Sequence, residues 1–212
     1  MEVYKKIGEL KVVPVIAIEQ AEAALPLADA LIEGGLPVAE ITFRTEAAAD
    51  VILKLKKERP EMLIGAGTIL TLENLRKAVD CGAAFGVAPG FNPRIVEESL
   101  KLNFPFAPGI MTPSDVEAAL SFGLKVLKFF PAEAAGGTKF LKSLSAPYAH
   151  AGVKFIPTGG VNQQNLLDYL ALEVVLAVGG TWIAKKDDIA AGNWEKIKQN
   201  CRNTVCSTSQ KL

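Results

Sequence analysis

The chain has 212 residues, half of them hydrophobic, and carries 23 lysines and arginines against 23 aspartates and glutamates, so its formal net charge is zero. That length and hydrophobic content can bury one sizeable core, which favours a single domain over residues 1–212. A nucleic-acid or anionic-membrane surface normally carries a clustered basic excess; no block of like charge stands out here, and small-molecule chemistry is the expectation.

Taken in chain order, Met1 to Lys11 mixes charges of both signs and is expected to form a short helix closing one end of the fold. The apolar run Val12 to Ile18 is too short to span a membrane and ends without a cleavage site, so a cytoplasmic protein, mature as written, is expected. Pro14 lies inside that run. A proline removes a ladder donor, so the first strand is expected to start later or to carry a bulge. Further short apolar runs begin near Val38, Leu63, Phe85, Phe104, Val126, Lys154 and Val174, each followed by an amphipathic stretch. Their spacing, roughly 20 to 30 residues, is the length of one strand–loop–helix unit.

Helix-start signals follow the strands at Thr71-Leu72-Glu73, Asn92-Pro93, Thr112-Pro113-Ser114-Asp115 and Asn162. Their side chains accept the free amide hydrogens of a first turn, and proline fits the first helical position. Helix-stop glycines occur at Gly34-Gly35, Gly82 and Gly123. The residues after Trp182 read as a final helix with a frayed tail. Strict alternation of strand and helix implies a parallel sheet with helical crossovers, and eight repeats imply closure. The expected fold is a single (β/α)8 TIM barrel with a short N-terminal helix.

In such a barrel the chemical groups come from the C-terminal ends of strands, where alternate residues point inward. Within Val38-Ala39-Glu40-Ile41-Thr42-Phe43-Arg44, that period places Glu40, Thr42 and Arg44 on one face, with Ile41 and Phe43 toward the helices. A glutamate and an arginine turned into a barrel are costly to bury without partners or a purpose. They either serve a ligand or form a mutual salt bridge that fills the interior. In Val126-Leu127-Lys128-Phe129-Phe130-Pro131 the same alternation groups Lys128 with Val126 and Phe130, a lone ammonium among apolar side chains. Desolvation disfavours the charged form, which is how a lysine becomes a nucleophile toward a carbonyl. The alternative is a stem that crosses the core while its amine reaches water.

Thr158-Gly159-Gly160 follows the seventh strand and Gly179-Gly180-Thr181 the eighth, the two loops where this fold frequently binds phosphate. Glycines let backbone amides approach phosphate oxygens, and an adjoining helix N-terminus adds a favourable dipole. One Gly-Gly pair is usually only a turn; two pairs at these loops form a pattern. Gly65-Ala66-Gly67-Thr68 puts a hydroxyl at the rim of the third strand. The Pro-Gly corners at Pro89-Gly90 and Pro108-Gly109 read as tight rim turns, with Pro89 shaping one wall of the pocket. Cys81, Cys201 and Cys206 lack a metal-ligand or CxxC spacing and are expected to be reduced thiols. The single histidine, His150, is expected in a surface loop, and no zinc constellation is available.

The segments VVPVIAI, VAEITFRTEAAAD, IGAGTIL, APGFNP, PFAPGI, LKFFPAEAAGG, PTGG and GGTW occur in that order. Together they resemble the 2-keto-3-deoxy-6-phosphogluconate (KDPG) aldolase family, also described as 4-hydroxy-2-oxoglutarate (KHG) aldolase, over roughly Val12 to Trp182. The resemblance implies a metal-independent class I lyase with a barrel fold, commonly a homotrimer, with no cofactor beyond a Schiff base between substrate and enzyme. It splits the phosphorylated keto acid into pyruvate and glyceraldehyde 3-phosphate, the last step of the Entner–Doudoroff route. By motif, Lys128 matches the Schiff-base lysine and Glu40 the general acid/base. Arg44 and Thr68 match the groups that hold the pyruvate carboxylate, and Thr158 a residue linked to stereochemical control. Gly159, Gly160 and Gly180 correspond to the phosphate end. Thr181 stands where a serine is more usual, and Pro89 and Phe130 complete the substrate-binding set. Two other readings stay open: a phosphate-binding barrel of epimerase or thiamine-phosphate synthase type, and a non-catalytic sensor of sugar-acid phosphates.

Overall fold

The computed structural model describes residues 2–209. Helix α1 (Glu2–Leu10) precedes β1 (Val12–Ile16), α2 (Ala24–Glu33), β2 (Val38–Thr42), α3 (Ala48–Glu58), β3 (Leu63–Gly67), α4 (Leu72–Asp80), β4 (Phe85–Val87) and α5 (Pro93–Lys101). The second half runs β5 (Phe106–Ala107), β6 (Gly109–Ile110), α6 (Pro113–Ser121), β7 (Val126–Phe129), α7 (Gly137–Ser145), β8 (Lys154–Pro157), α8 (Leu166–Leu170), β9 (Val178–Gly180), α9 (Lys186–Ala190) and α10 (Trp194–Ser209). Six of the eight anticipated strand starts coincide with the observed ones. The fifth strand begins at Phe106 rather than Phe104, and the last at Val178 rather than Val174. The frayed tail expected after the last helix falls on residues 210–212, outside the described residues. In place of one final helix there are two, the short α9 and the long α10.

Every strand pair is parallel, but the expectation of one closed eight-stranded ring is corrected by the ladders. Among the described residues, nine strands form a six-stranded sheet, in the order β5-β4-β3-β2-β1-β9, and a separate three-stranded sheet, β6-β7-β8. Proline explains the first break. Pro108 has no N–H and divides the fifth strand position in two; β5 pairs with β4, and β6 pairs with β7. The second break lies between β8, which ends at the donor-less Pro157, and the short β9. Among the described residues, two isolated parallel bridges, Phe155–Val175 and Thr158–Gly179, connect the chain there.

Pro14 behaves differently from expectation. Strand β1 starts at Val12 and runs through Pro14 in continuous register. Val12 to Pro14 align with β9, whereas Val15 and Ile16 align with β2, so the proline sits where pairing passes from one neighbour to the other. The anticipated caps form at three helices. Thr71 accepts from the Asn74 amide, Asn92 from that of Arg94, and Thr112 and Asp115 close a reciprocal capping box. Asn162 instead accepts from the Gln164 amide in a turn ahead of α8, which begins only at Leu166.

Most of the apolar core lies between the sheets and the helices. A second cluster gathers Val13, Val38, Phe85, Val87, Ala107 and Ile156 from the strands, with Ala177 just ahead of β9, around Ile7 of α1, which is wholly buried. Burying a side chain of that size stabilises by about 1.5–3 kcal/mol. With α1 closing this end over an apolar plug, the polar strand residues collect at the opposite, C-terminal end.

Candidate active site

The polar centre starts on β2. Glu40 and Thr42 point the same way and are 4% and 1% exposed, while Ile41 packs into the main core on the other side. Strand β2 stops at Thr42, so the alternation expected to run on to Arg44 does not hold; Arg44 sits in the turn beyond and is exposed. It still lines the same cavity, because its Nε donates to Thr42 Oγ1 at 3.2 Å. That hydroxyl in turn donates to the Ile16 carbonyl at 3.0 Å.

Lys128 comes from β7, 88 residues further along, and its Nζ lies 3.1 Å and 3.4 Å from the two Glu40 carboxylate oxygens. The side chains are 7% and 5% exposed. The lysine expected to be a lone ammonium therefore has a buried carboxylate partner, and its amine does not reach bulk water. Glu40 pairs with Lys128 and not with Arg44; among the described residues no carboxylate pairs with Arg44. The Phe130 ring stands 5.8 Å from Nζ and covers one side of it. The arrangement sets a buried amine against a buried carboxylate beside a cavity with space for a carbonyl compound.

Glycines make room for this pair. A Cβ on Gly67, on the neighbouring strand β3, would stand 2.1 Å from Glu40 Oε1. Thr68, the next residue, has a φ of 58°. For a β-branched residue that is a true outlier, costing about 1–3 kcal/mol, and such strain is held where a site requires it. Thr68 and Pro89 form the wall of the cavity beside Arg44.

Opposite, Thr158 follows β8 and is 6% exposed. Gly159 and Gly160 both adopt the left-handed region, with φ of 97° and 86°. The Ala132 amide donates to the Thr158 carbonyl at 2.8 Å and the Glu133 amide to that of Gly159 at 3.0 Å, tying the exits of β7 and β8 together. A Cβ on Gly180 would meet the Trp182 ring at 1.8 Å. Thr181, next to it, is exposed.

One open cavity, about 240 Å³ in volume, is lined by all eleven residues singled out in the sequence: Glu40, Arg44, Thr68, Pro89, Lys128, Phe130, Thr158, Gly159, Gly160, Gly180 and Thr181. Val15, Thr42 and Val161 also line it, and sequence reasoning assigned none of these to the site. Thr42 shares the alternation of Glu40 and could have been found that way. Val15 follows Val13 by the same period of two; Val161 carries no signal of its own. A smaller hollow of about 100 Å³, where Lys186 and Glu19 pair at 2.7 Å, offers no buried nucleophile.

The remaining reactive side chains lie elsewhere. His150 is exposed in a short helical turn and does not line the cavity. Burial pushes the Cys81 thiol up to about 11 and that of Cys201 up to about 12, leaving both protonated at neutral pH. Among the described residues no three His, Cys, Asp or Glu side chains gather to hold a metal ion, and no helix is long and apolar enough to cross a membrane.

Comparison with known proteins agrees with this chemistry. Residues 3–200 match the family model described as KDPG and KHG aldolase. The 2-dehydro-3-deoxy-phosphogluconate aldolase of Haemophilus influenzae is 48% identical over 204 residues, covering 96% of this chain and 95% of that protein. The KHG/KDPG aldolase of Escherichia coli K12 is 42% identical, covering 92% of this chain and 90% of the relative. A crystal structure of KDPG aldolase from Legionella pneumophila, with pyruvate captured at low pH as a covalent carbinolamine, superposes with a TM-score of 0.91. It is 38% identical and covers 96% of this chain and 98% of its own.

Proposed function

Because the chain belongs to the KDPG and KHG aldolase family, we propose that it reversibly cleaves 2-dehydro-3-deoxy-6-phosphogluconate to pyruvate and glyceraldehyde 3-phosphate through a Schiff base on Lys128. Cleavage of 4-hydroxy-2-oxoglutarate to pyruvate and glyoxylate is the companion reaction, in line with the dual name of the Escherichia coli relative. The observation that carries the residue assignment is the buried contact between Lys128 Nζ and Glu40 at 3.1 Å, at the floor of the cavity.

Transfer of one Nζ proton to that carboxylate leaves a neutral amine, which attacks the C2 ketone of the substrate. The protonated Glu40 returns its proton to the carbinolamine hydroxyl, water leaves, and a cationic imine forms. The Glu40 carboxylate, directly or through one water, then takes the C4 hydroxyl proton. The C3–C4 bond breaks, its electrons flow into the imine, and the aldehyde departs from an enamine. Glu40 delivers the proton to C3, and hydrolysis of the resulting pyruvate imine frees Lys128.

In this reading Arg44 and Thr68 hold the carboxylate of the pyruvate half, and Thr158 contacts the aldehyde half. The amides around Gly159, Gly160 and Gly180, with the Thr181 hydroxyl, bind the phosphate, so that remote binding energy orients the scissile bond. Pro89 and Phe130 wall the pyruvyl end. The pairing of β5 and β6 on either side of Pro108, and the two bridges between β8 and the chain around β9, support counting the nine strands as eight positions of one barrel. A cytoplasmic homotrimer belongs to the same proposal. Leu70 is 55% exposed beside an apolar hollow lined by Ile69, Phe91, Ile95 and Phe106, surface of the kind a subunit contact removes from water; sedimentation would measure the assembly.

The deciding experiment incubates the protein with pyruvate and borohydride, without added metal, and maps the modified peptide by mass spectrometry. A reduced pyruvyl adduct on Lys128 is expected. A folded sample with no adduct, or with the adduct on another lysine, removes the assignment. Turnover that persists in a strong chelator separates this reading from a metal-dependent epimerase.

A further inference from the structure

Arg44 presents a difficulty to a carboxylate-binding site. It lies in a turn beyond the end of β2, exposed, and among the described residues it has no carboxylate partner to hold its long side chain still. An arginine side chain carries about 2 kcal/mol of rotamer entropy, so an untethered one would meet its ligand in many orientations. Among the described residues, the group that its side chain hydrogen-bonds is the hydroxyl of Thr42, at 3.2 Å from Nε. Thr42 is 1% exposed, and its own proton is committed to the Ile16 carbonyl at the end of β1, 3.0 Å away. Donating in one direction, the hydroxyl can only accept in the other. The chain Ile16 carbonyl, Thr42 hydroxyl, Arg44 Nε thus has a defined polarity, anchored in the sheet.

We infer that Thr42 is a positioning residue that selects which edge of the Arg44 guanidinium meets the substrate. A guanidinium offers a carboxylate two bidentate edges, one through Nε and one through the two terminal nitrogens. With Nε committed to Thr42, only the terminal edge remains, and it stands beside the cavity that also holds Thr68, Glu40 and Lys128. The keto acid is therefore oriented with its carboxylate end-on to Arg44. Thr42 touches neither reacting carbon; it acts through Arg44. The inference rests on the aldolase reading above and deepens it.

The test compares pyruvate with methyl pyruvate, which keeps the ketone but lacks the anionic carboxylate. Half-saturation for imine trapping on Lys128 is measured with each compound in the unaltered protein, in Thr42→Val and in Thr42→Ser. Valine keeps the shape of the side chain and removes both hydrogen bonds, one of them to a charged group, so the pyruvate half-saturation should rise about tenfold. Methyl pyruvate should be trapped as before, which also reports an intact site, and Thr42→Ser should recover most of the loss. In cleavage assays the defect should fall on KM more than on kcat. The inference is overturned if Thr42→Val leaves pyruvate trapping unaltered, or if it weakens pyruvate and methyl pyruvate alike. Failure of the unaltered protein to trap pyruvate would overturn the aldolase reading itself, and this inference with it.

Discussion

Gly67 is the position where a single methyl group should test the catalytic geometry most directly. Its backbone is not left-handed, so alanine meets no conformational penalty there; the obstacle is Glu40. An added Cβ would lie 2.1 Å from Oε1 and 2.7 Å from both Cδ and Cγ of Glu40, against an ordinary near contact of about 3.4 Å. Relief demands a shift of the carboxylate of about 1.3 Å. Oε1 is also the nearer of the two carboxylate oxygens to Lys128 Nζ, at 3.1 Å against 3.4 Å for Oε2, so the shift disturbs the contact through which the proposed mechanism moves its proton. A misplacement of about 1 Å costs about 100-fold in rate, and overpacking costs about 1–3 kcal/mol of stability. Gly67→Ala should therefore lower kcat for aldol cleavage by about two orders of magnitude, with a fall in Tm of several degrees. Pyruvate release, coupled to lactate dehydrogenase, gives the rate; thermal unfolding gives the second number and shows the protein to be folded. Normal kcat in a folded Gly67→Ala protein would refute the placement of Glu40 as the base.

Lys128→Ala should abolish both cleavage and borohydride trapping. It should also destabilise the fold by about 3–5 kcal/mol, because it leaves Glu40 buried without its partner; denaturant unfolding measures that part. Glu40→Gln should keep the nucleophile and lose about 10²–10⁴ in kcat, the range of general acid–base catalysis, and unimpaired turnover would make another group the base. Away from the site, hydrogen bonds from Lys196 and Asn193 hold the Asp188 carboxyl below its usual range. A depressed folded-state value means a stabilisation fully present above the ordinary carboxylate range and lost as pH falls through the lowered one. Asp188→Asn should thus be less stable than the parent at pH 7, and the gap should close on acidification; a gap that widens at low pH would contradict the assignment.

Much of this site was legible in order of residues alone. A period of two on β2 and β7 turned Glu40 and Lys128 inward, because alternate strand residues face opposite sides whatever the rest of the chain does. The caps at Thr71, Asn92 and Thr112 formed as read, since a side-chain oxygen and an amide two or three residues on need no distant partner. Where reading by periodicity failed, the cause was a missing local signal. Arg44 lies past a strand end that no residue type marks. Pro14 was tolerated because the pairing partner changes there, which depends on β9, more than 160 residues away.

The sequence by itself determined the alternation of elements, the inward faces and the chemical identity of each site residue, all of which follow from short-range stereochemistry. The tertiary structure decided what only strands distant in the chain can decide when they pack. Lys128 gained Glu40 as its partner, the Thr42 hydroxyl was anchored on the Ile16 carbonyl, and Gly67 acquired its purpose from Glu40. Packing also divided the sheet in two at Pro108 and beyond Pro157. These are distances between residues far apart in sequence. They arise from parallel pairing of β7 against β6 and of β2 against β3, and no local pattern encodes them.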